Sequence, residues 1–193
     1  MLSRHPLWIP ATAHIPKFVD HFNRFLNDSP HNVVMQKALR YNGEDTRVLL
    51  TQDSKGGKSV LAMAFPFTVL PALCDMSRMG LGVFTSLVDT TTSLHVAAAL
   101  LPSNDMHVSV SLQTNCVSPI TAGEKVVLIS RMDKFGKRLA FLSAQLLHEG
   151  AVSTDEVCNN LTAGEGLQEV ERQLREYPVL ANGRHVKCIL PSK

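Results

Sequence analysis

Asp89 is the residue whose chemistry is hardest to set aside. It stands between Leu87-Val88 and the run Thr90-Thr91-Thr92-Ser93, in the most apolar stretch of the chain, where a carboxylate has to be paired or put to use. An aspartate followed by threonines is also a respectable helix start, so the pattern leaves two readings open: a side chain inside a helix, or the N-cap of one beginning at Thr90. A second group is cationic. Lys134, Lys137 and Arg138 gather at one turn with Arg131 just before it, and Arg184, His185 and Lys187 follow on the last alternating segment. Solvated hairpin tips explain such a pattern; basic side chains on neighbouring hairpins that converge on one anion would instead bind a phosphate-bearing ligand.

Other motifs carry less. Gly57-Lys58-Ser59 suggests a phosphate loop, but that motif needs glycine where Gln52 stands, and no helix pattern follows. The eight histidines show no i, i+4 pair or other metal spacing, so no metal site is expected. His95, on an otherwise apolar stretch, reads as structural. Cys74, Cys116, Cys158 and Cys188 lie at least 30 residues apart, which favours free thiols in a reducing compartment. With a net charge of +2, few aromatics and no basic stripe, nucleic acid is not an expected partner.

At 193 residues the chain fits one domain with a helical extension. Its opening, MLSRHPLWIPATAH, has no apolar h-region, so secretion is not expected; the acid-free stretch up to Val19 also fits a mitochondrial presequence, and the localisation expected is cytoplasmic with mitochondrial import as the alternative. No apolar run reaches the roughly 20 residues of a membrane span, so a soluble protein without membrane insertion is expected.

The elements that must position these residues follow from periodicity. Phe18, Val19, Phe22, Phe25 and Leu26 recur at helical spacing after Pro16, ending at Asn27-Asp28-Ser29-Pro30. RVLLTQ and SVLAMAFPF form a hairpin around the turn cluster Asp53 to Lys58, with Pro66 and Pro71 expected to end the second strand. The stretch from Gly82 to Leu101 is apolar on most sides, as for a helix wrapped by a sheet. HVSVSLQTNCV, with Val108, Val110 and Leu112 on one face, KVVLISRM and RLAFLSAQLL then read as an antiparallel meander. Two capping-box patterns, Ser153 to Glu156 and Thr162 to Glu165, precede a stripe of Leu167, Val170, Leu174 and Tyr177, which marks a helical insertion. The chain returns through Asn182-Gly183 into RHVKCIL, a strand that closes the sheet.

Val108-Ser109-Val110-Ser111-Leu112, followed by Pro119 and Ala122-Gly123-Glu124, resembles the hotdog acyl-CoA thioesterases of the phenylacetate-degradation type. In that family an H-G-G turn opens the central helix and an aspartate follows seven residues after its second glycine; Gly82 and Asp89 have that spacing. The segments Lys134 to Phe141 and Gly183 to Lys187 resemble its later hairpin and last strand. The resemblance spans roughly Val48 to Leu190 and implies an α+β hotdog fold: an antiparallel sheet around a long central helix. Residues 1–47 would be an N-terminal helical extension, and 48–193 the hotdog domain with a helical insertion at about 153–177.

It also implies chemistry. Backbone N–H groups of Leu81 and Gly82 would polarise a thioester carbonyl; Asp89, from the facing subunit, would activate water or attack directly; Ser109 would orient that water. An acyl-CoA would become free acid and CoA, with no further cofactor, in a homodimer or dimer of dimers. Coenzyme A phosphates would meet Lys134, Lys137, Arg138 and Lys187. The chain departs from the family at the turn: Gly80 replaces the histidine, Leu81 replaces the first glycine, and Cys74, beside Asp75, falls where the family has a polar Asn or Gln. These positions border the expected substrate site. Two functions stay open, a thioester hydrolase and a hotdog module that binds acyl-CoA or scaffolds without hydrolysis.

Overall fold

The computed structural model describes residues 8–27, 43–52, 58–103, 105–152 and 163–191. A two-residue strand β1 (Ile9–Pro10) and a short helix α1 (Ala11–His14) lead into α2 (Phe18–Asn27). The expected stripe points Phe18 and Phe22 into the core while Asp20 and Arg24 face out; Phe25 and Leu26 lie outside the described side chains. β2 (Arg47–Gln52) and β3 (Lys58–Thr68) form the expected hairpin, whose turn at 53–57 lies outside the described residues. β3 runs through Pro66 rather than ending there. Its pairing with β2 stops at Ala64, and beyond that point only β7 lies beside it, so a residue without an N–H donor is tolerated.

A small hairpin follows, β4 (Cys74–Asp75) and β5 (Arg78–Met79), with Met76 and Ser77 at φ 45° and 67° in its tip. Then come the central helix α3 (Leu81–Leu100), β6 (Met106–Cys116), β7 (Lys125–Phe135), β8 (Leu139–His148), α4 (Ala163–Glu176) and β9 (Ala181–Leu190). Seven strands form one antiparallel sheet in the order β1-β2-β3-β7-β8-β9-β6, and it wraps α3. Phe84, Leu87, Val88 and Leu94 of the helix pack on the inward residues Val48, Met63, Phe65, Val126, Leu128 and Leu146. The outer face is covered over β2, β3 and β7 by Trp8 and by Val170, Leu174 and Tyr177 of the insertion, which pack on Leu49, Ala62, Val127 and Ile129. Burial on both faces explains why these strands read as continuous apolar runs. No helix among the described residues is long and apolar enough to cross a membrane.

Three expectations are corrected. The last strands are not a simple meander: β6 pairs with β9, not β7, and lies at the far edge of the sheet. Val108, Val110 and Leu112 do not share a face. A bulge between Ser109 and Ser111 makes Val110 the extra residue, so Val108 points out while Leu112 packs on the inner core. Asn182-Gly183 is not a turn but part of β9, opposite Gln145 and Ala144. The insertion helix is present; Ser153 to Glu156 and Thr162 lie outside the described residues, while Ala163 to Glu165 form its first turn.

Candidate active site

Asp89 lies inside α3, not at its start, which settles its two readings in favour of the helix interior. Thr85, Asp89 and Thr92 recur at i, i+4 and i+7, the spacing of one helix face, and that face meets the edge pair β6 and β9. Thr85 Oγ1 lies 2.6 Å from Thr114 Oγ1 of β6. Thr92 Oγ1 donates to Val88 O at 2.6 Å and lies 2.6 Å from His185 Nδ1 of β9. The other ring nitrogen of His185, Nε2, lies 3.6 Å from Asp89 Oδ1.

Three groups converge on that one oxygen. Ser109 Oγ donates to Asp89 Oδ1 at 2.8 Å, Lys187 Nζ donates to it at 3.0 Å, and Lys187 Nζ also reaches Ser109 Oγ at 3.0 Å. Ser109 faces inward because of the bulge at Val110; strict alternation with the buried Leu112 would have turned it outward. Oδ2 has no hydrogen-bonded partner among the described residues, and the Asp89 side chain is 41% exposed. Burial alone would hinder its ionisation, but the Lys187 charge and hydrogen bond, the Ser109 hydrogen bond and His185 together outweigh it and hold the carboxyl below its ordinary range. Burial lowers His185 to about 4 and His107 of β6 also to about 4, in both cases reinforced by the Lys187 charge, so both imidazoles are neutral at pH 7.

The structure brings Asp89 and Ser109 together, adds His107 and Thr92, which the sequence reading did not single out, and moves His185 from the expected cationic group to the inner face beside Asp89. The sequence reading also aimed Lys187 wrongly. Expected at the surface among phosphate-binding groups, Lys187 is only 3% exposed and turns inward onto Asp89. Lys134, Lys137 and Arg138 are exposed at the β7–β8 hairpin, as expected. Ala140 pairs with Lys187, so this basic tip lies at the same end of the sheet as Asp89. Lys134 and Phe135 also border a groove of about 460 Å³ beside Ala98 of α3 and Leu101 just after it.

The start of α3 is a separate region. Gly80 is its N-cap residue, and its carbonyl accepts from the Val83 and Phe84 N–H groups. The N–H groups of Leu81 and Gly82 precede the first intrahelical bond and project from the positive end of the helix. Leu81 is 49% exposed, so its side chain leaves the turn rather than filling it. Cys74 and Asp75 stand on the lip hairpin before it, Cys74 half-buried with its thiol pushed up by burial, Asp75 exposed. His95 points elsewhere, to Ser130 Oγ at 2.9 Å and Val60 O at 3.2 Å. No group of His, Cys, Asp and Glu among the described residues could hold a metal ion.

A seven-stranded antiparallel sheet wrapped on a central helix is the hotdog fold, and that is the class to which this architecture belongs. No protein-family model matches the sequence, and no curated protein compared with it is a match. Solved structures do match. Zebrafish thioesterase superfamily member 2 is 16% identical with a TM-score of 0.57, over 91% of this chain and 97% of that one. A mutant thioesterase from Pseudomonas aeruginosa is 10% identical with a TM-score of 0.58, over 96% and 99%. The PaaI protein of the Escherichia coli phenylacetic acid degradation operon is 12% identical with a TM-score of 0.56, over 91% and 93%. Identities this low establish the shared fold.

Proposed function

We propose that this protein hydrolyses acyl-CoA thioesters to free acid and CoA, with Asp89 Oδ2 acting as base towards water or as nucleophile. The observation that carries the reading is the Asp89–Ser109 pair: a half-exposed carboxylate, ionised and oriented through one oxygen, with its other oxygen open. Ser109 gives its proton to Asp89 and one lone pair to Lys187, and a second lone pair is left to hold a water whose other proton points at Oδ2. No cofactor beyond the CoA of the substrate is required.

The reading needs a second copy of the chain. Leu81 and Asp89 are eight residues apart on one helix, about 12 Å at 1.5 Å per residue, whereas reacting atoms and oxyanion donors must all lie within about 3–3.5 Å of one carbonyl group. The helix start that polarises the thioester therefore comes from a partner subunit. β6 supports this: it has a neighbour on one side only among the described strands, and Val110 on it is 60% exposed. Pairing two β6 edges would bring each Asp89 towards the other chain's Gly82 and Leu81. The acyl chain then has an apolar groove of about 280 Å³ beside His107, lined by Phe18, Phe22, Leu94, Ala98 and Leu101, while Lys134, Lys137 and Arg138 stand where CoA phosphates would lie. The reading places this activity in the cytoplasm, where thiols stay reduced.

The test is thiol release from a panel of short, long and aromatic acyl-CoAs, with Asp89→Asn measured beside the native protein. Turnover that falls at least about 100-fold in the variant is expected; equal turnover would remove Asp89 from the mechanism. The loss of the first turn glycine at Leu81 favours a second reading, a binding module without hydrolysis. Its signature would be no turnover at all, with CoA still raising the melting temperature.

A further inference from the structure

Lys187 occupies a position that packing does not call for. It sits on the inward face of β9, second from the sheet edge, with Ala140 opposite on one side and Ser109 on the other. Among the described residues its ammonium reaches two groups, Asp89 Oδ1 and Ser109 Oγ, each at 3.0 Å. Burying a cation of this size costs several kcal/mol, and a single carboxylate rarely returns more than that, so an apolar side chain of equal length would serve the fold as well or better. Burial lowers the Lys187 proton affinity, against the opposing pull of Asp89. The lysine is therefore a strained member of the site rather than a stabiliser of the sheet.

We infer that Lys187 is a positioning residue for Asp89: it clamps Oδ1 from behind, keeps the carboxylate charged, and directs Oδ2 into the cleft. The geometry bears this out on both sides of the carboxylate. Among the described residues every donor that reaches Asp89 reaches Oδ1, and Oδ2, the oxygen that meets substrate or water, is left to the cleft. Because an ammonium can only donate, its contact with Ser109 takes one serine lone pair and leaves the serine proton for Asp89 Oδ1. The titratable groups around the pair are His107 from β6 and His185 from β9. Both are neutral at pH 7, so the countercharge is supplied by Lys187 alone; His95 of the same helix faces Ser130 and Val60 on its other side.

The role of Lys187 in turnover rests on the hydrolase reading; its hold on the carboxylate does not. The experiment has two arms for that reason. The first follows the Asp89 carboxyl by ¹³C NMR against pH, the signal being identified by its absence in Asp89→Asn. The native protein is expected to titrate below the ordinary carboxylate range, and Lys187→Met at least about one pH unit higher. The second follows the acid limb of kcat/KM, which should rise by the same amount in Lys187→Met, with kcat falling more than KM changes. Superimposable titrations in the two proteins would overturn the inference, and so would a native Asp89 that titrates at or above the ordinary value, a result available even if the variant fails to fold. If the native protein turns over no acyl-CoA, the hydrolase reading falls and the NMR arm alone still decides the clamp.

Discussion

Gly183 shows how finely single residues set the distance between helix and sheet. A Cβ there would meet Gln113 O at 3.1 Å, Thr114 Cγ2 at 3.2 Å and Val88 Cγ1 at 3.3 Å, so the missing side chain lets α3 come down on β9 beside Asp89. Gly183→Ala should cost about 1–3 kcal/mol through overpacking, read from the urea midpoint. A loss below about 0.5 kcal/mol, the range of ordinary surface changes, would show that the helix has slack at that point. The threonines that follow Asp89 make a related adjustment. Thr91 and Thr92 are buried, and each returns its hydroxyl to a carbonyl of the preceding turn, Leu87 O at 2.8 Å and Val88 O at 2.6 Å, which lets polar residues sit in an apolar helix without leaving those donors unmet.

At the scale of elements, β6 carries the most consequence, because it holds Ser109 and also forms the open edge. Val110→Lys puts a charge on that edge, a standard obstacle to strand pairing, and should yield a monomer by sedimentation with unchanged circular dichroism and turnover reduced at least about 100-fold. A variant that still sediments as a dimer would exclude β6 pairing. The same strand shows what could be read from sequence and what could not. The apolar run of α3 and the runs of β2 and β3 announce themselves, since burial on all sides leaves a continuous signal. In β6 the alternation of Val108, Val110 and Leu112 imitates one face, and nothing local reveals the bulge that breaks it. In β9 the apolar alternation points to the wrong parity. Val186, Cys188 and Leu190 look like the inner set, yet His185, Lys187 and Ile189 are the ones that turn in. Polar residues win the inner face there because α3 presents Thr85, Asp89 and Thr92 to them. That helical stripe was visible in the sequence, and it was the one signal able to reverse the parity of β9.

For the whole molecule, acid is the condition that tests the structure most broadly. His95 is fully buried and lowered to about 4 from 6.5, chiefly by burial, and His107 and His185 are likewise lowered to about 4. In the unfolded chain each takes up a proton near its ordinary value; in the folded protein each resists until near 4. The stability they contribute is therefore complete above pH 6.5 and is lost progressively as pH falls towards 4, on the order of 3 kcal/mol for His95 alone. Melting temperature should drop across that window, and a flat profile would mean that the histidines protonate without unfolding. The order of strands in the sheet has a consequence in time as well. β9 is inserted between β8 and β6, so a nascent chain that has made everything up to the insertion helix still leaves those two strands without their shared neighbour, and its Asp89 lacks both Lys187 and His185. Residues 181–190 act as the closing stave. Until they pair, the carboxylate of Asp89 lacks the charge of Lys187, and the site is complete only when β9 lies between β8 and β6.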